Sequence, residues 1–166
     1  GKLGDGTTVD KSTPIQSKAG GKFMNVSTYY SHTLAIDESG NLWAWGSNEY
    51  GKLGDGALLS KTKPVSVKVG IKFKWTGAGS VHSAAIDQSG NLLTWGYNKY
   101  GRLGDGTTSD KSSPVQVKSG TKFKNVSAGY NYTLAIDEQG KLWAWGYNDV
   151  GQLGDGTSWH ETPVWI

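Results

Sequence analysis

An all-β chain built by repeating one 50-residue unit is what this sequence predicts, and three observations predict it. The hexapeptide Gly-x-Leu-Gly-Asp-Gly occurs at 1–6, 51–56, 101–106 and 151–156, always 50 residues apart. The chain holds 25 glycines, eight tryptophans and eight tyrosines against three phenylalanines and one methionine, a composition that suits short strands and tight turns better than helices. Within each unit, apolar residues recur at every second position between clusters of turn residues.

The unit divides into four strands, taken here in the third copy. Strand A is read at 123–128, B at 132–137, C at 142–146 and D at about 162–166. Glu138-Gln139-Gly140-Lys141 joins B to C as a hairpin, with Glu38-Ser39-Gly40-Asn41 and Gln88-Ser89-Gly90-Asn91 as its equivalents. Pro14, Pro64 and Pro114 keep step at the start of strand D, and Pro163 slips by one residue. A proline cannot donate to a ladder, so D is expected to be an edge strand.

Strands B and C are apolar or small on both faces. In the first unit Leu34 and Ile36 oppose Ala35, and Trp43 and Trp45 oppose Leu42 and Ala44. Sheets of this kind need cover on both sides. Small sheets stacked around an axis supply it, which makes the units blades of a β-propeller; a parallel β-solenoid is the runner-up, but its coils are usually shorter and lack these reverse turns. The expected architecture is a single array over 1–166, with three four-stranded antiparallel blades at about 22–68, 72–118 and 122–166. Residues 1–21 are read as a leading loop with one extra outer strand at 13–17. Three blades leave two apolar end faces, so the chain is expected to be a fragment of a longer propeller or a subunit of an oligomeric ring.

There is no cysteine, which excludes disulfides, thiolate metal sites and cysteine nucleophiles. A net charge of +3 with scattered lysines marks out no phosphate-binding stripe, so no nucleic-acid partner is expected. No apolar run is long enough to span a bilayer and no leader is recognisable, so the chain is read as soluble, without a membrane partner, and either processed or a piece of something longer. The Asp-Gly-Thr-Thr-x-Asp segments at 5–10 and 105–110 have the oxygens that calcium favours, but Asp-Gly-Ala-Leu-Leu-Ser in the second unit loses them, and turn formation is the better account. Three dispersed histidines make no zinc site, with His160 read as isolated in a loop. No catalytic residue, metal ligand or cofactor is assigned, and the expectation is a protein that is not an enzyme.

The unit Val-Ser-Ala-Gly-Tyr-Asn-Tyr-Thr-Leu-Ala-Ile-Asp-Glu-Gln-Gly-Lys-Leu-Trp-Ala-Trp-Gly-Tyr-Asn-Asp-Val-Gly-Gln-Leu-Gly-Asp-Gly at 126–156 closely resembles the regulator of chromosome condensation repeat. The resemblance rests on His-Thr-Leu-Ala at 32–35 and Trp-Gly-x-Asn-x-x-Gly-x-Leu-Gly at 45–54, which recur along the chain. It implies propeller blades, usually about seven to a closed ring. The Gly-Asp-Gly-Thr-Thr-x-Asp-Lys-Ser-x-Pro-Val-Gln-Val run at 104–117 is similar to the bacterial, often exported, variety, which implies a secreted or cell-surface location. Propellers of this family serve nucleotide exchange, ultraviolet sensing, ubiquitin ligation and β-lactamase inhibition, so the resemblance speaks to fold more than to function.

An up-and-down blade places its A–B and C–D loops on one face and its B–C and D–A loops on the other. All eight tyrosines fall in or beside the first set: Tyr29, Tyr30, Tyr130 and Tyr132, and Tyr50, Tyr97, Tyr100 and Tyr147; Trp159 is read in the last C–D loop. Tyr50 and Tyr100 are expected to pack over glycines, and His32, His82 and Tyr132 to link neighbouring blades. The binding candidates are positions that vary inside the repeated frame: Tyr30, Ser80 and Tyr130, then Ser47, Tyr97 and Tyr147. The expected function is a non-catalytic protein–protein interaction scaffold acting through this face, with a protein or copies of itself as partner. The alternatives are a self-assembling structural repeat and a carbohydrate-binding module.

Overall fold

The computed structural model of the protein describes residues 1–17 and 21–166. Among these residues twelve strands form three four-stranded antiparallel sheets. The first contains β1 (Phe23–Thr28), β2 (His32–Asp37), β3 (Leu42–Gly46) and β4 (Lys61–Val67), in that order. The second contains β5 (Phe73–Ala78), β6 (His82–Asp87), β7 (Leu92–Gly96) and β8 (Lys111–Val117). The third contains β9 (Phe123–Ala128), β10 (Tyr132–Asp137), β11 (Leu142–Tyr147) and β12 (Trp159–Trp165). Among the described residues there is no α-helix, only a 3-10 turn at Glu49–Gly51.

The last strand of each sheet starts earlier than the proline predicts. Pro64 lies inside β4, where the register jumps from Ala44–Val65 to Gly46–Lys61. The ladder is interrupted at that bulge, so a residue without an N–H is tolerated in mid-strand. The leading strand expected at 13–17 is not formed. Each fourth strand pairs with the third strand of its own sheet, and among the described residues 13–17 pair with no strand. Residues 18–20, also within the leading segment, lie outside the described residues.

The core lies between sheets rather than within one. Leu34, Ile36, Leu42 and Ala44 of the first sheet pack on Phe73, Ala85, Leu93 and Trp95 of the second. The opposite side of the second, with Ala84, Ile86 and Leu92, packs on Phe123, Val126, Ala135 and Trp145 of the third. This is the two-sided burial that the apolar alternation of the B and C strands calls for, and each large side chain so buried contributes about 1.5–3 kcal/mol. Strands β1, β5 and β9 abut one another, with Ala78 N–H donating to Ser27 Oγ at 2.9 Å and Thr76 Oγ1 donating to Asn25 Oδ1 at 2.7 Å.

A loop that locks each sheet onto the next

The Gly-x-Leu-Gly-Asp-Gly hexapeptide is the clamp between consecutive sheets. Lys52 O accepts from Trp95 Nε1 at 2.9 Å and from Ser83 Oγ at 2.7 Å. Arg102 O accepts from Trp145 Nε1 at 2.9 Å and from Thr133 Oγ1 at 2.8 Å, and Lys2 O accepts from Trp45 Nε1 and Thr33 Oγ1. The second glycine of the motif has to be glycine: Gly54 and Gly104 have φ of 78° and 72°, and a Cβ on either would lie 2.6 Å from the indole Nε1.

The asparagine of Trp-Gly-x-Asn shapes this loop from inside. Asn98 Oδ1 accepts from Leu103 N, while its Nδ2 donates to Asp105 Oδ1 and to Thr107 O. Asn48 and Asn148 make the same set. The aspartates of the Asp-Gly-Thr-Thr run are held as turn acceptors. Asp105 Oδ1 takes Thr107 N at 3.0 Å, Oδ2 faces Lys111 Nζ at 3.5 Å, and the hydrogen bonds to Thr107 help to hold the carboxyl below its ordinary pKa against its burial. His160 is not isolated: it takes the place of that lysine, bonding Asp155 and Thr157 from within β12.

His32 and His82 complete the clamp. His32 Nε2 lies 2.8 Å from Ser83 Oγ, and His82 Nε2 lies 2.9 Å from Thr133 Oγ1. Each hydroxyl already donates its proton to a backbone carbonyl, so each Nε2 must carry the proton and donate it. The Nδ1 atoms are buried without a partner, and burial drives both histidines down to about 3, so both are neutral.

The candidate interaction face

The A–B and C–D loops share one face, tied by Lys52 Nζ donating to Ser31 Oγ at 2.8 Å. The opposite face carries the B–C turns, closed by Asp37, Asp87 and Asp137, and there Lys72 and Lys122 donate to Asn41 and Asn91. On the loop face, tyrosines form a ladder. The rings of Tyr50 and Tyr97 stack at 4.3 Å, and those of Tyr100 and Tyr147 lie at 4.5 Å. Between the pairs, the guanidinium of Arg102 lies 4.6 Å from the Tyr97 ring centre and 5.8 Å from that of Tyr100, while its Nη1 donates to Asn131.

The six sequence candidates separate. Tyr30 and Tyr130 project into solvent, 82% and 63% exposed. Tyr97 and Tyr147 are half-buried in the ladder. Ser47, at the position of those two rings, borders a cavity of about 290 Å³ lined also by Lys2, Ser31 and Thr62. Ser80 is buried, because Gly79 allows its loop against the next A–B loop and Ser80 N–H donates to Gly129 O. Tyr50 and Tyr100 pack on partner rings. Trp159 opens β12 rather than lying in the loop. Arg102 was not a sequence candidate; its signal is that x is the variable position of a fixed hexapeptide.

Small antiparallel sheets stacked face to face, with their first strands abutting and a repeated loop clamping each to the next, define consecutive blades of a β-propeller. The chain belongs to the Regulator of chromosome condensation (RCC1) repeat family, whose pattern matches residues 39–86, 89–136 and 139–166, with a second form of the repeat at 25–52 and 123–152. Its fold is similar to that of human WBSCR16, at 24% identity and a TM-score of 0.79 over 89% of this chain and 40% of that one. It is similar also to yeast RCC1 (Prp20) in its complex with Kap60, at 23% identity and 0.77 over 87% and 37%. A structure of Prp20p from Saccharomyces cerevisiae, described with its binding properties to Gsp1p and histones, matches at 24% and 0.75 over 87% and 38%. The chain therefore spans about two fifths of the proteins whose fold it shares.

Proposed function

We propose that the chain is a non-catalytic protein-binding scaffold whose partner docks on the A–B/C–D loop face. The observation that carries this reading is the asymmetry between the two faces. One holds the tyrosine ladder with Arg102 inside it and the exposed rings of Tyr30 and Tyr130. The other is given over to turns tied by aspartate, asparagine and lysine side chains. Tyrosine and arginine are the residues that carry binding energy at protein interfaces, and a ladder that is already packed loses little entropy on docking. That yeast RCC1 was captured with Kap60, and Prp20p characterised with Gsp1p and histones, supports a protein as the partner class. A secreted or cell-surface location belongs to the same proposal and rests on the 104–117 run.

A carbohydrate reading is less well supported, because sugars stack on open ring faces and the ladder rings turn theirs toward one another. The test is capture of partners from the source cells or their medium by the wild-type chain, by Tyr30→Ala/Tyr130→Ala, and by the opposite-face control Glu38→Ala/Gln139→Ala. Partners retained by the control and lost from the tyrosine variant are expected. Capture that the tyrosine variant leaves unchanged overturns the choice of face.

A further inference from the structure

Blade 2 departs from the repeat on its first strand. Asn-Val-Ser stands at 25–27 in blade 1 and again at 125–127 in blade 3, whereas blade 2 has Trp75-Thr76-Gly77. These three segments line one cavity of about 370 Å³ where β1, β5 and β9 abut, and all of its lining residues are uncharged. Its size falls within the range of about 300–1,000 Å³ that small-molecule sites occupy.

Each departure changes what the cavity offers. Asparagine at 25 and 125 shows that the fold does not require a ring at this place in the strand. Trp75 reaches across to blade 3, where its Nε1 donates to Val126 O at 3.1 Å, and it is still 36% exposed. That bond fixes the indole plane, and among the described residues no other ring stacks on it. Gly77 removes the hydroxyl that Ser27 supplies at the preceding junction, where Ser27 Oγ accepts from Ala78 N–H at 2.9 Å. The equivalent donor, Ala128 N–H, is thereby left to the cavity that Ala128 lines. A Cβ at position 77 would lie 3.3 Å from Ala128 N, so glycine also clears the space in front of that donor. Thr76 Oγ1, donating to Asn25 Oδ1 at 2.7 Å, holds the Asn25 amide in place and leaves its Nδ2 as a second donor.

A fixed indole, two N–H donors and no charge select a neutral ligand with a face of C–H groups and oxygen acceptors at its rim. The geometry points to a binding site for a neutral hexopyranose sugar in this cavity, stacked on Trp75, with its hydroxyl oxygens accepting from Ala128 N–H and Asn25 Nδ2. The weakly positive C–H groups of the sugar meet the negative face of the indole. An ionic ligand would give up its hydration and find no counter-charge in the lining. The site lies on the first strands rather than on the loops, so it is independent of the protein-binding face proposed above. The paired rings that disfavour a sugar on the tyrosine ladder have no bearing on it.

The methyl glycosides of glucose, galactose, mannose and N-acetylglucosamine, with glucuronate as a charged counterpart, are the probes. Each is titrated into the isotope-labelled chain and followed by NMR. At least one glycoside should shift the indole N–H of Trp75 and the amides of Gly77 and Ala128 saturably, with a Kd of about 1–10 mM, and glucuronate should not. Trp75→Asn restores the residue that blades 1 and 3 carry, and Gly77→Ser returns a hydroxyl to Ala128 N–H. Each variant, once circular dichroism shows it folded, should bind roughly tenfold or more weakly. Tyr30→Ala/Tyr130→Ala should bind sugar as the wild type does, which separates this site from the protein-binding reading. Saturable shifts with none of the four glycosides overturn the inference, as do shifts of equal affinity in Trp75→Asn and Gly77→Ser.

Discussion

The indole N–H of Trp95 donates to the backbone carbonyl of Lys52, 43 residues earlier and one blade away, at 2.9 Å. Both groups are buried, and the same carbonyl accepts from Ser83. Replacing Trp95 by Phe removes the donor and part of the ring that fills the junction of blades 1 and 2. A loss of roughly 2–4 kcal/mol is expected, read from the urea midpoint. Trp45→Phe should cost less, because its acceptor, Lys2 O, lies in a segment whose Leu3 is 43% exposed where Leu53 is fully buried.

Gly54→Ala and Gly154→Ala place one methyl in the same hexapeptide with different surroundings. Both positions have φ near 77°, at 78° and 77°, and both variants bear the backbone cost of about 1–2 kcal/mol. Only Gly54→Ala also drives a Cβ to 2.6 Å from Trp95 Nε1. It should be less stable than Gly154→Ala by a further 1–3 kcal/mol or so in thermal or urea unfolding.

Stability should fall on mild acidification. His32 and His82 are neutral in the fold, with pKa values lowered to about 3 by burial from an ordinary 6.5 in the unfolded chain. Between those values the unfolded chain binds protons that the native chain does not, so the native state is favoured above pH 6.5 and loses ground as pH drops toward 3. Going to pH 5 should cost about 2 kcal/mol per histidine. His82→Gln should be less stable at neutral pH and should show a slope between pH 7 and pH 5 shallower by about one proton.

Asn98 is buried and serves both ends of its loop. Asn98→Ala leaves Leu103 N and Thr107 O without their partner inside the protein, and a cost of about 2–4 kcal/mol is expected from chemical denaturation. Tyr30→Ala and Tyr130→Ala touch exposed rings and should be within about 0.5 kcal/mol of the wild type. Tyr97→Ala breaks a stack and uncovers Arg102, so roughly 1–2 kcal/mol of its effect is structural. Tyr30 and Tyr130 are therefore the clean probes of binding.

The repeat, the first three strands of each blade and the division of loops between two faces were legible in the sequence, because period two and turn residues are local signals. The start of the fourth strand was not. Lys61-Thr62-Lys63 carries no apolar alternation, and its pairing with Gly46 across a bulge is a long-range event. The strand expected at 13–17 has a strand's pattern but pairs with no strand among the described residues. In the candidate site, Tyr30 and Tyr130 lie as exposed as a loop tyrosine suggests, whereas Ser80 is covered because of the approach of Gly79 to the next blade, which no periodicity encodes. Arg102 escaped notice because its role depends on rings at 97 and 100 that meet it only in the fold.

Every property proposed for the loop face depends on consecutive blades being locked through the Gly-x-Leu-Gly loop. Hydrogen exchange of the indole Nε1 protons, followed by NMR, reads that lock directly. The protons of Trp95 and Trp145 should exchange only through global unfolding, with the same denaturant dependence as the core amides, while that of Trp45 should exchange through local release of residues 1–6. Exchange of the Trp95 proton as fast as that of Trp45, and insensitive to denaturant, would contradict the interlocked array.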